Sequence, residues 1–116
     1  MAFAALAMGG WALFANRAHG MDEAIRPALA QGLMSGLITL LLKRALEAMS
    51  GLFQGRLAYS WPPTITATVI LVTLVVVHEL IGTPEVGRTI AVPWTVSTLY
   101  ALVYSAALAR LKAKAP

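Results

Sequence analysis

The stretch that decides the fold lies between Arg56 and His78 and reads LAYSWPPTITATVILVTLVVV over residues 57–77. It carries no charge, and its second half, from Thr66 to Val77, consists almost entirely of Leu and β-branched residues. In water such a run favours a strand, but an isolated strand in lipid leaves its backbone amides without hydrogen-bond partners. We therefore predict a membrane-spanning helix, because the stretch is long enough to cross a hydrocarbon core of about 30 Å.

The composition of the whole chain agrees with this prediction. Of 116 residues, 59% are hydrophobic and 12% are charged, whereas about a quarter of the residues in a soluble domain are charged. The mean hydropathy is +0.74. These values exclude a soluble globular domain and a disordered chain. We expect a small polytopic membrane protein with a single transmembrane domain over residues 1–116.

Three further uncharged stretches complete the predicted architecture. The expected fold class is all-α, with four transmembrane helices in two hairpins, at about residues 2–18, 24–49, 62–80 and 85–110. Because no Lys or Arg precedes the first helix, we expect a retained membrane helix there and not a secretory signal peptide. Pro62 and Pro63 are expected in the first turn of the third helix, and the residues from Thr83 to Glu85 are expected to cap the fourth.

The distribution of Lys and Arg predicts the orientation. Four helices place Gly20 and Gly82 in two short turns on one side of the membrane, and this side has three basic residues: Arg17, Arg26 and Arg88. The opposite side has six: Lys43, Arg44, Arg56, Arg110, Lys112 and Lys114. Because Lys and Arg accumulate in cytoplasmic segments, both termini are predicted to be cytoplasmic, in the inner membrane of the cell.

A weak internal repeat appears when the chain is shifted by 62 residues. The most informative identical pairs are Gly20 with Gly82, Glu23 with Glu85, Arg26 with Arg88 and Ser35 with Ser97. A duplicated hairpin would produce this pattern, with the two copies related by an axis along the membrane normal. Independent selection of similar residues at two helix starts is the alternative explanation.

Polar residues collect on the side of the two short turns. Eight are candidates for binding a lipid headgroup or a polar substrate: Arg17, His19, Glu23, Arg26, His78, Glu79, Glu85 and Arg88. His78 and Glu79 matter most, because they end the most apolar helix, where a charge is costly unless it is paired or hydrated. The alternative is an interfacial ring of salt bridges, in which Glu23–Arg26 and Glu85–Arg88 are i,i+3 pairs within helices.

Other kinds of chemistry find little support in the sequence. His78-Glu79 begins like the His-Glu-x-x-His motif of zinc proteases, but position 82 is Gly, so we predict no metal site and no cofactor. Neither a nucleophile with a base nor a carboxylate pair occurs at a convincing spacing, and we do not expect an enzyme. The basic residues are dispersed, which argues against nucleic-acid binding.

Small residues recur at every fourth position on two predicted helices. Ala28, Gly32 and Gly36 form one stripe, and Ser97, Ala101 and Ser105 form the other. Such stripes let helix backbones approach closely, which in lipid takes the place of a hydrophobic driving force. The contact so formed is either internal to one subunit or an interface with another.

Two functions remain after these exclusions. The first is a transport component that handles a lipid or another amphiphile along a groove between helices, because the predicted spans hold no charged residue deep in the membrane. Its partners would be membrane lipids, and it would act as a homo-oligomer or within a larger membrane-protein complex. The second is a non-catalytic accessory or assembly subunit of such a complex, which requires no substrate.

Overall fold

The computed structural model describes residues 2–114, and in this part of the chain every regular element is helical. Its α-helices are α1 (Ala2–Ala15), α2 (Met21–Ser50), α3 (Leu57–Ile81) and α4 (Val86–Lys114), and a short 3-10 helix, Arg17–His19, separates α1 from α2. The predicted all-α fold class is confirmed. Residues 1, 115 and 116 of the predicted domain lie outside the described residues.

Three of the helices are long and apolar enough to cross a membrane, namely α2, α3 and α4. The chain is therefore a membrane protein built as a helical bundle. The helix α1 has 14 residues and is about 21 Å long, which is less than the ~30 Å hydrocarbon core. The fourth span thus stays a prediction.

Several helix boundaries differ from the sequence prediction: α2 begins at Met21 rather than 24, α4 continues to Lys114 rather than 110, and the start of α3 and the end of α1 differ for local reasons. The helix α3 begins at Leu57 rather than at 62, because Gly55 turns the chain with a φ of 61° and its carbonyl accepts the Ala58 amide. Pro62 and Pro63 therefore lie in the second turn, not the first, and both are buried. A membrane helix tolerates proline there because neighbouring groups satisfy the freed backbone carbonyls.

The other boundary lies at the end of α1. The expected helix over 2–18 ends at Ala15, and Asn16 leaves helical geometry with φ −107° and ψ 6°. The chain then tightens into the 3-10 helix and reverses at Gly20, whose φ is 91°. A side chain there would be strained, because L residues rarely adopt this conformation.

The three long helices share one apolar core. It consists of Leu42, Leu46, Ile70, Leu74, Ile90 and Ala101, contributed by α2, α3 and α4. The indole of Trp94 on α4 packs against this core and donates from Nε1 to the carbonyl of Ala67 on α3, at 2.9 Å. The helices alternate in direction, so the bundle has a turn end, formed by residues 16–26 and 78–90, and a loop end, formed by residues 43–60 and 104–114.

Candidate functional site

A buried chain of polar side chains joins α2 to α3 near the turn end. His78 is fully buried, and its Nε2 lies 2.9 Å from Oε1 of Gln31. Because the amide nitrogen of Gln31 donates to the hydroxyl of Ser35 at 2.8 Å, the amide oxygen faces the imidazole and accepts from Nε2. Nδ1 then accepts from the hydroxyl of Thr83, at 2.7 Å. The four side chains satisfy one another inside the bundle.

A second polar contact joins α1 to α4. The amide nitrogen of Asn16, which is fully buried, donates to the hydroxyl of Thr89 at 2.6 Å and to the carbonyl of Ala12 at 2.9 Å. The amide oxygen of Asn16 accepts the backbone N–H of Glu85 at 2.8 Å. This N–H is one of the unpaired donors at the start of α4, so Asn16 supplies a contact that was expected from Thr83.

Charged residues at the turn end connect the two turns to each other. Nε2 of His19 lies 2.9 Å from the carboxylate of Glu85. The guanidinium of Arg26 donates to the carbonyl of Ile81 at 3.0 Å. The predicted i,i+3 pairs Glu23–Arg26 and Glu85–Arg88 are wrong, because among residues 2–114 the salt bridges are His19–Glu85 and Lys43–Glu47.

The remaining predicted site residues at this end are exposed. Arg17 lies over the ring of Phe14, with the guanidinium carbon 3.7 Å from the ring centroid. Glu23, Glu79 and Arg88 face outward from their helices. The structure therefore brings the eight candidates to one end, but it separates His78, which is buried and hydrogen-bonded on both ring nitrogens, from the seven others.

The first stripe of small residues packs within the chain. Gly32 faces α1 so closely that a Cβ atom on it would lie 3.1 Å from the carbonyl oxygen of Ala5. A Cβ on Gly9 would lie 3.0 Å from the carbonyl oxygen of Ala28 and 3.4 Å from the Cα of Gly32. Two helix backbones are thus in direct contact, and any larger residue at Gly32 must push α1 away from α2.

The second stripe also faces inward. Ala101 is fully buried in the shared core and Ser105 is buried, whereas Ser97 is half-buried. The hydroxyl of Ser105 has no hydrogen-bond partner among the described residues. This stripe lies among the long helices rather than on an outer face.

Between α2 and α3 the structure has a groove with a volume of about 430 Å³. Its walls are residues 34–49 of α2 and 65–73 of α3, and they include Met34, Leu37, Leu41, Ala45, Val69 and Ile70. Leu37, Leu41 and Val69 are each more than half exposed, so the groove opens onto the outer surface of the bundle.

The lining of this groove offers no free hydrogen-bonding group. Its polar residues are Thr66 and Thr73, and both hydroxyls already donate within α3, to the carbonyls of Pro62 and Val69 at 3.0 and 2.8 Å. Each hydroxyl proton is therefore already used within α3, and the methyl groups of the two threonines are left to contact a ligand. The groove suits a hydrocarbon and no polar ligand.

At the loop end the polar contacts are exposed. The hydroxyl of Tyr104 on α4 donates to the carboxylate of Glu47 on α2, at 2.7 Å. The ammonium of Lys112 donates to the carbonyls of Ser50 and Phe53, at 2.9 and 2.8 Å. These contacts join the last turn of α2 to α4 without a buried partner.

Sequence analysis missed the residues that hold the helices together, above all Gln31 and Thr89. The signal was present for Gln31, because a polar side chain within an uncharged stretch of a membrane helix requires a buried partner. Nothing in the sequence identified that partner as His78, which lies 47 residues away. Within residues 2–114, no three His, Asp or Glu side chains lie close enough together to bind a metal ion.

Comparisons of the chain with protein-family models, with curated proteins and with solved structures find no match.

Proposed function

We propose that this protein handles a lipid or another amphiphile, and that the hydrocarbon chain of this molecule occupies the groove between α2 and α3. The observation that carries the proposal is the groove itself, with about 430 Å³ of space and no free hydrogen-bonding group in its lining. Because Leu37, Leu41 and Val69 open this space onto the outer surface of the bundle, the surrounding membrane fills it. Acyl chains are the solvent there.

The position of the groove supports a lipid as its occupant. Both walls belong to helices that are long and apolar enough to span a membrane. Toward the turn end the lining of the groove on α2 stops at Met34, one turn from Gln31, which is hydrogen-bonded to His78. Toward the loop end the lining continues to Met49. An acyl chain would therefore enter from the side, with its headgroup at the loop end.

Native mass spectrometry from a mild detergent tests this proposal. The wild-type protein should retain phospholipid, and Ala45→Phe should lose most of it, because the new ring fills the groove. The control is Ala107→Phe, which adds the same ring at an exposed position of α4 outside the groove. Equal lipid retention in Ala45→Phe, Ala107→Phe and the wild type would contradict the proposal.

The same measurement addresses the second function, an accessory subunit of a larger complex. Such a subunit would appear with a second protein at fixed stoichiometry, and its lipid content would not depend on Ala45. A homo-oligomer that holds lipid and loses it in Ala45→Phe would favour the transport component. In both cases we assign no catalytic residue, cofactor or nucleic-acid partner.

We further propose that the chain consists of two related hairpins, α1 with α2 and α3 with α4, and that α1 is a fourth span. Asn16 and His78 are 62 residues apart, which is the offset of the repeat; Asn16 directly follows α1, and His78 lies in the last turn of α3. Asn16 bonds to α4 and His78 bonds to α2, so each contacts the second helix of the other hairpin. At this offset Gln31 corresponds to Pro93 and Thr89 to Pro27, so the proposed relation covers which helices meet and not which residues on α2 and α4 are the partners.

The expected orientation, with both termini cytoplasmic in the inner membrane, requires a labelling experiment. The chain has no Cys, so single Cys probes are unambiguous. Ala18→Cys and Gly87→Cys at the turn end should react with an impermeant reagent from the outside of intact cells, and Leu52→Cys at the loop end should not. All three sites are exposed and tolerate a side chain. Labelling of Leu52→Cys alone would show that the protein has the opposite orientation.

A further inference from the structure

A second cavity lies at the loop end, away from the groove. It has a volume of about 450 Å³ and lies between the residues that lead into α3 and the last turns of α4. Its polar lining consists of Gln54, Arg56, Tyr59 and Lys112. The lining therefore holds two cations, an amide and a phenol, and no carboxylate.

Lys112 is fixed at this cavity by the backbone. Its ammonium donates to the carbonyls of Ser50 and Phe53, at 2.9 and 2.8 Å. An ammonium has three N–H donors, so one remains for a ligand. The two carbonyls are neutral, and among residues 2–114 Lys112 forms no salt bridge. Its positive charge is held in place without a counter-ion in that part of the chain.

The surrounding charge is also strongly positive. The loop end contains six Lys and Arg residues, and Glu47 is its one carboxylate side chain between residues 43–60 and 104–114. Glu47 accepts a hydrogen bond from Tyr104 and lies 3.9 Å from Lys43. It is therefore engaged elsewhere, and among the described residues the lining of the cavity includes Arg56 and Lys112 but no carboxylate side chain.

The geometry points to a binding site for a phosphate group in this cavity, with Arg56 and Lys112 as its cationic partners. A phosphate offers several acceptor oxygens, which match a guanidinium, an ammonium and the amide of Gln54 better than a single-acceptor anion would. The phosphate comes from a lipid headgroup or from free phosphate. The inference goes beyond the proposed function, since a phosphate site at the loop end does not require an acyl chain in the groove.

The experiment uses the full chain in a mild detergent with two lipids that have identical oleoyl chains. Dioleoyl phosphatidic acid carries the phosphate, and dioleoylglycerol lacks it. Wild-type protein should retain more phosphatidic acid than diacylglycerol in native mass spectra. In Arg56→Gln and Lys112→Gln this preference should fall about tenfold, the loss expected for one charge-assisted hydrogen bond.

The matched control is Arg44→Gln, which removes one exposed charge from the same end outside the cavity. Its preference for phosphatidic acid should equal that of the wild type. A similar loss in Arg44→Gln would show a general surface charge effect and would overturn the site. Arg56 is exposed at the start of α3, so its substitution keeps the test valid if Lys112→Gln fails to fold.

A parallel titration shows whether the phosphate group comes from a lipid headgroup or from free phosphate. It measures the thermal stability of the protein in inorganic phosphate and in chloride at equal ionic strength. Stabilisation of the wild type by phosphate but not of Arg56→Gln supports a site that accepts the free anion. A lipid preference without that stabilisation supports a headgroup site. Equal retention of both lipids, without stabilisation by phosphate, overturns the phosphate site and leaves the groove intact. If the protein retains neither lipid, the groove proposal is contradicted. The phosphate site is then supported if inorganic phosphate stabilises the wild type but not Arg56→Gln, and overturned if it does not.

Discussion

The turn end and the loop end of this bundle hold the same helices together in different ways. At the turn end, His78 and Asn16 are fully buried and connect helices that are distant in sequence. At the loop end, Tyr104 and Lys112 make exposed contacts, and from the middle of the bundle toward this end α2 and α3 line an apolar groove.

The difference has a physical basis in the membrane. Burying apolar surface between helices gains little when the surrounding lipid is equally apolar, so close backbone packing and interhelical hydrogen bonds determine where helices meet. The half of the bundle next to the turn end has both, in Gly32 and in the hydrogen bond between His78 and Gln31. The groove has neither, and its helices are free to accept a chain between them. Substitutions at the two ends should therefore differ in cost.

The largest effect is expected from Gly32→Leu. The contact of 3.1 Å that even a Cβ would make with Ala5 means that a leucine separates α1 from α2, at a cost of about 3 kcal/mol or loss of the fold. Thermal unfolding in detergent, followed by circular dichroism, measures it. The matched change Ala45→Leu in the groove should cost less than about 1 kcal/mol. A similar destabilisation by Gly32→Leu and Ala45→Leu would contradict the proposed difference in packing between the two ends.

Gly10→Leu is the control for helix propensity. No atom lies within 4 Å of the Cβ position at Gly10, so this change adds a leucine to α1 without a clash. Its melting temperature should match or slightly exceed that of the wild type.

The second effect is expected from His78→Leu. The change leaves the amide oxygen of Gln31 and the hydroxyl of Thr83 buried without their partner, and we expect a destabilisation of about 2 kcal/mol. A double-mutant cycle with Gln31→Leu should show that the pair costs less than the sum of the single changes, by roughly 1 kcal/mol. Additive costs would mean that this contact does not join α2 to α3.

A smaller effect is expected from Asn16→Ala. It removes the hydrogen bonds to Thr89 and to the N–H of Glu85, but Thr89 retains its bond to the Glu85 carbonyl. We expect a loss of about 1 kcal/mol and faster amide hydrogen exchange in the first turn of α4. Unchanged exchange there would show that Asn16 does not cap this helix.

The smallest effect is expected at the loop end, from Tyr104→Phe. This change removes the hydrogen bond to Glu47, which water replaces because the contact is exposed. The melting temperature should change by no more than the equivalent of about 0.5 kcal/mol. A loss of stability as large as that of His78→Leu would show that the polar contacts at the two ends contribute equally to stability.

Sequence alone determined the class of this protein and the order of its helices. Long uncharged stretches in a chain with 12% charged residues can satisfy their backbone groups in lipid only as helices. Each candidate site residue on the side of the short turns also lies at one end of the bundle, because a helix that spans a membrane fixes which residues share a depth. The boundary of α3 was not predictable from Pro62, since Gly55 starts the helix earlier.

Only the tertiary structure decided which polar residues meet and where space remains. The partner of His78 is Gln31 and the partner of Asn16 is Thr89, and both pairings depend on how the helices rotate and cross. The same rotation aligns Gly32 with Ala5 and leaves a groove between Ala45 and Val69. A helix displays residues on every face. Because the side chains of the spans and the surrounding lipid are equally apolar, hydropathy does not distinguish the face that packs against another helix from the face that binds an acyl chain.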